Sequence, residues 1–314
     1  MRSEFDLIQN LKSEYGLTFV GDDCAVLPKD ASRDLVVTVD MLVEDVDFRL
    51  VWTTPEQLGH KSLTVSLSDI AAMGAEPVWA MLSIAVPERL WNSDFVDRFY
   101  QGWHALAGEF GIELVGGDIS MSPRGLVIDS IVGGEVTKDR AILRSGTKPG
   151  DSIYVSGSLG GAAGGLILLD SDRKDITEAS TLTLRQLQPR PQIEFGKLLQ
   201  RSGLVTSMID LSDGLSSDLG HICAASGTGA VIDADKIPID PTLDSFFRAD
   251  RCLDMALNGG EDFELLFTSG EKNILLVENH QFACIGEITA NVGTIELIAN
   301  GKTSVLEPKG YRHF

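Results

Sequence analysis

Acidic residues in this chain stand beside glycines and at the ends of apolar runs, where a solvated surface charge is an unusual choice. The segments are Gly21-Asp22-Asp23, Thr38-Val39-Asp40, Ser68-Asp69, Gly116-Gly117-Asp118 and Asp210-Leu211-Ser212-Asp213. Carboxylates at strand ends converge on one edge of a sheet, and glycine lets backbone and ligand approach closely. One such Asp is more often a helix cap or a turn former. Five such segments together favour a site that holds several metal ions.

The residue types in these segments indicate which metal the site would bind. Mg²⁺ prefers oxygen ligands and bridges carboxylates to phosphate oxygens, and the sequence has no Cys/His cluster for softer metals. The formal net charge of -20 repels nucleic acid, anionic membranes and nucleotides alike. Bound Mg²⁺ would neutralise the site and admit ATP. We therefore expect several Mg²⁺ ions and ATP, with no nucleic-acid or membrane partner.

Two further features have open interpretations. The glycine-rich segment Gly157–Gly165 could cradle phosphates, or it could pack a helix closely against a strand; it lacks the Gly-Lys-Ser/Thr ending of a P-loop. Arg144 could contact a nucleotide phosphate or lie on the surface.

The chain has five histidines, and none stands beside a Ser or Cys as in a nucleophilic site. An obvious general base is therefore missing. A phosphate acceptor needs none, because its second pKa is about 6 and its oxygen is already anionic near neutral pH. Transfer to such an oxygen depends on positioning and charge neutralisation. These considerations favour a kinase that phosphorylates a phosphate group.

Strand and helix patterns alternate along the chain, which has room for two domains. A helix over 54–73 begins with the capping box of Thr54 and Gln57, has Pro55 at its first position and ends at Gly74. Strands are predicted at 35–39, 78–86, 112–115, 126–136, 153–155 and 207–209, and further helices at 4–14, 94–110, 178–187 and 191–201. The turn at 148–151 predicts domains 1–147 and 148–314. The N-terminus lacks a signal pattern and the four cysteines are far apart, so we expect free thiols and a cytoplasmic location.

The segment Lys61–Pro77, KSLTVSLSDIAAMGAEP, resembles the signature helix of thiamine-monophosphate kinases. Similar matches follow in order along nearly the whole chain: GDDCAVL at 21–27, VGGD at 115–118, RSGTKPGD at 144–151, IDLSDGLSSDLGHI at 209–222, NGGEDFELLF at 258–267 and KGYRHF at 309–314. The family is similar in turn to the ATP-binding superfamily of aminoimidazole ribonucleotide synthetase. The resemblance implies an α/β (α+β) fold of two domains, with an N-terminal sheet that pairs across a homodimer.

The resemblance also implies roles for individual residues. The implied metal ligands are Asp23, Thr38, Val39, Asp40, Asp69, Asp118, Asp210 and Asp213, with Val39 acting through its backbone carbonyl. The implied nucleotide contacts are Tyr100, Gly117, Asp118, Arg144 and Ser212. The implied substrate contacts are Asp47, Glu261 and Tyr311. Asp47 departs from the family, which has a histidine there; a carboxylate repels the substrate phosphate but favours a cationic thiazolium ring.

The expected activity is ATP-dependent phosphorylation of thiamine monophosphate to thiamine diphosphate, by direct in-line γ-phosphoryl transfer at a site with several Mg²⁺ ions. One alternative is another ATP-dependent enzyme of the superfamily, of ligase or synthetase type, acting on a different phosphorylated substrate. NGGEDFELLF and KGYRHF favour the thiamine family over it. A non-catalytic nucleotide-binding protein is disfavoured, because the acidic set is nearly complete.

Overall fold

The computed structural model describes residues 4–171, 177–271 and 280–311. Arg312, His313 and Phe314 of the terminal KGYRHF segment lie outside this range. The helices are α1 (Glu4–Tyr15), α2 (Pro55–Ala72), α3 (Glu88–Trp91), α4 (Phe95–Phe110), α5 (Gly161–Leu169), α6 (Thr177–Leu187), α7 (Ile193–Ser202), α8 (Leu215–Ser226) and α9 (Ala249–Asn258). The strands are β1 (Ala25–Pro28), β2 (Arg33–Val43), β3 (Glu76–Pro87), β4 (Glu113–Ser122), β5 (Val127–Thr137), β6 (Ser152–Ser156), β7 (Val205–Asp210), β8 (Gly229–Asp233), β9 (Leu265–Ser269), β10 (Phe282–Thr289), β11 (Ile295–Ala299) and β12 (Lys302–Val305).

In the described part of the chain the strands form two sheets. The first has the order β1-β2-β5-β3-β4, antiparallel except for the β3–β4 pair, and the second has the order β12-β11-β8-β10-β6-β9-β7. The mixed α and β content that the sequence predicts is confirmed.

Helix α2 lies between the two halves of the molecule and is buried along most of its length. The predicted capping box is confirmed, because the Thr54 hydroxyl accepts from the Gln57 amide and the Gln57 side chain accepts from the Thr54 amide. Gly74 follows the helix with a left-handed φ of 65°, a conformation that glycine adopts without a Cβ penalty.

Two glycines bring α2 and α4 into close contact. A Cβ added at Gly59 would lie 2.0 Å from the Phe99 carbonyl oxygen, and one at Gly102 would lie 1.9 Å from the Glu56 carbonyl oxygen. Both distances are impossible for a real side chain, so these glycines set the spacing of the two helices. The main hydrophobic core extends from this contact to Leu199 and Met208 of the second half of the chain. Helix α2 is therefore held on both sides.

The two faces of the first sheet differ. One face packs against α2, and the other exposes large apolar side chains, Val39 and Met41 on β2 and Met81 on β3. No helix in the described ranges has both the length and the apolarity needed to span a bilayer.

Candidate active site

Three carboxylates from distant parts of the chain meet beside α2. They belong to Asp23 in the loop before β1, Asp69 near the end of α2 and Asp210 at the end of β7. One carboxylate oxygen of each lies within 4.8 Å of the others. The sequence predicts this convergence from carboxylates that stand beside a glycine, as Asp23 does, or at the end of an element, as Asp69 and Asp210 do.

Hydroxyl groups orient the carboxylates of this acidic cluster. Ser68 Oγ donates to Asp210 Oδ2 at 2.6 Å, and Ser66 Oγ donates to Asp40 Oδ2 at 2.8 Å. The Thr38 hydroxyl donates to the Asp69 carboxylate in a short contact. Thr38 and Asp40 therefore face α2, and Val39 between them faces away, as strand alternation requires.

Arg144 is paired with the acidic cluster. Its Nη2 and Nε lie 2.5 and 3.1 Å from Asp23 Oδ1, and its backbone amide donates to Asp22 Oδ1 at 2.7 Å. The other oxygen of Asp23 is buried and has no hydrogen-bond partner among the described residues. A buried oxygen of this kind is suited to accept a cation or a water.

Burial and mutual repulsion raise the pKa values of the clustered carboxyl groups. Burial raises the pKa of Asp40 to about 6, and burial with the nearby charge of Asp23 raises the pKa of Asp210 to about 7. Burial, followed by the charges of Asp40 and Asp210, raises the pKa of Asp69 well above its usual range. These carboxylates become fully ionised at neutral pH only when a cation compensates them.

A pocket of about 780 Å³ opens next to the cluster. It joins two sets of predicted residues: Asp40, Asp69, Asp210, Ser212 and Asp213 from the metal and nucleotide sets, and Asp47, Glu261 and Tyr311 from the substrate set. The cavity is thus lined by the predicted substrate set and by part of the predicted metal and nucleotide sets.

Backbone hydrogen bonds fix the substrate set relative to the loop after β7. The Glu261 amide donates to the Ser212 carbonyl at 2.8 Å, and the Tyr311 amide donates to the Asp213 carbonyl at 3.1 Å. Asp47 Oδ2 accepts from the Val43 amide at 2.8 Å. Burial, then the charges of Asp47 and Glu261, raises the pKa of the Tyr311 hydroxyl.

Seven predicted residues do not line this pocket. Asp23, Thr38 and Arg144 lie in the acidic cluster beside it, and the other four face away or lie on other elements: Gly117, Asp118, Val39 and Tyr100. Asp118 and Gly117 are on β4, which is separated from β2 by β5 and β3. Three strand spacings of about 4.8 Å put them about 14 Å from β2. The register aligns Asp118 with Ser83, Asp129 and Met41, on the open face that Val39 also shares. The fourth residue, Tyr100 of α4, is partly buried and packs edge-on against Phe99.

The glycine-rich segment packs a helix against another helix, whereas the sequence left open a phosphate cradle or packing of a helix against a strand. The amides of Gly160 and Ala162 at the start of α5 donate to the Asp262 carboxylate at 2.6 and 3.1 Å. A Cβ on Gly165 would lie 2.1 Å from the Leu182 carbonyl oxygen of α6. The segment therefore packs helices together, and a carboxylate of the chain itself occupies the amides that a phosphate would use.

The sequence-based site lacks Lys61. This residue lines the pocket and pairs with Glu261, with Nζ 2.7 Å from Oε1. The available signal was a lysine directly before the run of apolar and small residues at 62–68, because lysine is rarely buried without a partner.

Fold and site together define the class of protein. The family model described as AIR synthase related protein, N-terminal domain, matches residues 21–142, and the model of the corresponding C-terminal domain matches residues 148–296. Within that class, the thiamine-monophosphate kinase of Escherichia coli (strain K12) is 38% identical over 99% of this chain and 95% of its own length. That of Bacillus subtilis (strain 168) is 34% identical over 94% of this chain and 93% of its own length. The chain belongs to the thiamine-monophosphate kinase family.

A solved structure agrees with this assignment. The structure of AaThiL complexed with AMPPCP and TMP is 33% identical, with a TM-score of 0.88 over 99% of this chain and 97% of that chain. The similarity covers both sheets of the molecule and the pocket beside α2.

Proposed function

We propose that the protein phosphorylates thiamine monophosphate to thiamine diphosphate, with ATP as the phosphoryl donor. The observation that carries this proposal is the single pocket joining the acidic cluster to Asp47, Glu261 and Tyr311. A kinase for a phosphate acceptor needs this combination, because the donor phosphates and the acceptor must meet where their charges are neutralised. Family membership and the complex of AaThiL with AMPPCP and TMP support the same acceptor and donor.

The acidic cluster fits Mg²⁺ by its donor chemistry. Its donors are carboxylate and hydroxyl oxygens, and in the described part of the chain one buried carboxylate oxygen of Asp23 has no hydrogen-bond partner. The residues that would hold the ions are Asp23, Thr38, Val39, Asp40, Asp69, Asp118, Asp210 and Asp213. When bound, Mg²⁺ would neutralise the phosphates that are brought together.

The nucleotide set is Tyr100, Gly117, Asp118, Arg144 and Ser212. Arg144 would contact both the acidic cluster and the nucleotide phosphates, since its guanidinium reaches the acidic cluster and carries donors that match phosphate geometry. Asp118, about 14 Å from β2 by strand spacing, would serve an ion or a nucleotide group other than the one at Asp69.

The residues of the chain act by positioning. The acceptor phosphate is already anionic near neutral pH, so no side chain has to remove a proton from it. Glu261 and Tyr311 would hold the acceptor at one end of the pocket, while the hydroxyls of Ser66 and Ser68 keep the acidic cluster in a fixed orientation. Such preorganisation brings the acceptor in line with the donor phosphate without reorganising the site.

Asp47 would face the cationic part of the acceptor. Its carboxylate is held by a backbone amide and lines the pocket, where its charge would repel the acceptor phosphate and attract the thiazolium ring. The replacement of the family histidine by aspartate is therefore compatible with the same substrate in the orientation that places the ring at Asp47.

The open apolar face of the first sheet supports a homodimer. A continuous apolar face on a folded protein marks an interaction surface, and a second copy with two-fold symmetry is the commonest occupant. We also propose that the chain has two domains, residues 1–147 and 148–314. A cytoplasmic location is proposed from the unpaired cysteines. Sedimentation of the protein and of a Met81→Asp variant tests the dimer, which the variant should dissociate.

The direct test is a mass-spectrometric assay of the purified protein with Mg²⁺, ATP and thiamine monophosphate, with thiamine as a parallel acceptor. We expect thiamine diphosphate from the monophosphate alone, and none when Mg²⁺ is chelated. Phosphorylation of thiamine, or ATP binding without any diphosphate product, would refute the proposed acceptor.

A further inference from the structure

Lys61 differs from the other basic residues of the pocket by its burial. The described lining residues include Arg49, Lys61, Arg251 and Lys309, and all but Lys61 are exposed. Lys61 is only 3% exposed. Lysine is almost never buried to this extent without a counter-charge, because its ammonium group loses its hydration.

The counter-charge is the carboxylate of Glu261. Lys61 Nζ lies 2.7 Å from Oε1 and 2.9 Å from Oε2, so one ammonium group contacts both oxygens. The side-chain amide of Gln186, on α6, donates to the same Oε2. A carboxylate has about four acceptor positions, and these contacts use about three. A remaining position of Glu261, whose side chain is 28% exposed, is open to the pocket.

The backbone of Glu261 makes these side-chain contacts necessary. Glu261 has a left-handed φ of 66°, which is uncommon for a residue with a Cβ, and its amide is fixed to the Ser212 carbonyl. The backbone conformation therefore fixes the direction of the Glu261 Cα–Cβ bond, but it does not fix the side-chain rotamer. Lys61 and Gln186, from two different helices, supply the contacts that select one orientation of the carboxylate.

We propose that Lys61 is a positioning residue that holds the Glu261 carboxylate oriented toward a hydrogen-bond donor of the acceptor substrate. This inference rests on the proposed function, in which Glu261 binds the acceptor. Lys61 acts through Glu261 and makes no contact with the acceptor of its own. Without Lys61 the carboxylate loses both its compensating charge and its fixed rotation, and acceptor binding weakens while ATP binding does not.

A double-mutant cycle tests the inference. Lys61→Met keeps most of the side-chain volume and removes the charge, and Glu261→Gln removes the negative charge and one acceptor. Each change should raise the KM for thiamine monophosphate about 10- to 100-fold, the cost of losing a charged hydrogen bond, with the KM for ATP within about twofold. Because Lys61 acts through Glu261, the double variant should be no worse than Glu261→Gln alone.

A matched control separates positioning from a loss of structure. Lys197 is also a mostly buried lysine that contacts two carboxylates, those of Glu76 and Glu194, each at 3.1 Å, and it does not line the pocket. Lys197→Met should leave the KM for thiamine monophosphate unchanged. If Lys61→Met proves unstable, Gln186→Leu removes the other side-chain contact of Glu261 and should raise the same KM in the same direction.

The outcomes distinguish the inference from the proposed function. Independent, multiplying effects of Lys61→Met and Glu261→Gln would overturn the inference, as would equal rises in the KM values for both substrates. Wild-type protein that makes no thiamine diphosphate would refute the proposed function instead. In that case the same double-mutant cycle can be measured by thermal unfolding, which needs no substrate and still shows whether Lys61 and Glu261 are coupled. Additive shifts in Tm would overturn the pairing.

Discussion

The ion pair of Arg144 and Asp23 predicts how strongly the acidic cluster depends on a compensating cation. The Asp23 side chain is fully buried and that of Arg144 is 20% exposed, so an Arg144→Met variant leaves a buried carboxylate without its partner. Removing one partner of a buried ion pair costs about 3–5 kcal/mol. The partial exposure of Arg144 puts our expectation at the lower end, about 3 kcal/mol.

Thermal unfolding in EDTA at pH 8 measures this cost. A loss of about 3 kcal/mol should lower Tm by about 4–5 °C in a protein of this size. The difference between variant and wild type should shrink toward pH 5, because burial raises the pKa of Asp23 and a protonated carboxyl needs no partner. Mg²⁺ should recover part of the loss at pH 8, since it supplies the missing positive charge.

Arg190→Met is the matched control. Arg190 pairs with Glu109 at 3.0 Å, but both side chains are largely exposed, and such surface pairs contribute about 0–1 kcal/mol. A Tm of the Arg144→Met variant within 2 °C of that of the Arg190→Met variant would refute the idea that the cluster requires a cation. A Tm of Arg144→Met that Mg²⁺ does not raise would refute it as well.

Three further predictions concern the site. Asp69→Asn should lower turnover at saturating Mg²⁺ and ATP by about 100-fold or more, with an unchanged circular dichroism spectrum. Asp47→Asn keeps an acceptor for the Val43 amide and should raise the KM for thiamine monophosphate about fivefold, with no effect on an analogue whose thiazolium is replaced by a neutral thiophene. In metal-free protein, the pKa values of Asp40 and Asp210, about 6 and about 7, lie above those of an unfolded chain. The native state therefore binds more protons, and Tm should fall as pH rises from about 5 to 8.

Each of these expectations has a contrary result. Wild-type turnover of Asp69→Asn would remove that residue from the metal set. Equal weakening of the charged and neutral acceptors by Asp47→Asn would show that its charge does not recognise the ring. A Tm that rises with pH in EDTA, or a slope that saturating Mg²⁺ leaves unchanged, would contradict the raised pKa values of the cluster.

Local signals in the sequence were sufficient for the elements and for part of the site. The capping box of Thr54 and Gln57 and the glycine at Gly74 defined the limits of α2 because caps act within a few residues. The end of β4 was missed: the predicted strand stops at 115, and Gly116-Gly117 interrupts the pattern. In the structure β4 extends to Ser122 because it pairs with β3 over its whole length, and pairing of this kind is a long-range effect.

The same distinction separates the predicted from the missed parts of the site. Asp69 and Asp210 were identified because each ends an element, which is a local property. The pairing of Lys61 with Glu261 joins residues 200 positions apart, so no local pattern contains it. The carboxylate of Asp262 at the start of α5 is a similar case, since sequence alone left the glycine-rich segment open between two interpretations.

Helix α2 carries Lys61 and Asp69 on the same pocket wall, eight residues apart. At 1.5 Å per residue the two are separated by about 12 Å along the helix axis, and close packing on both sides keeps that distance from changing. The helix therefore fixes the distance between the Lys61 end of the pocket, where the acceptor is held, and the Asp69 end, where phosphate is transferred. An acceptor without its own phosphate would be too short to span this distance, so the protein would select its substrate by length as well as by charge.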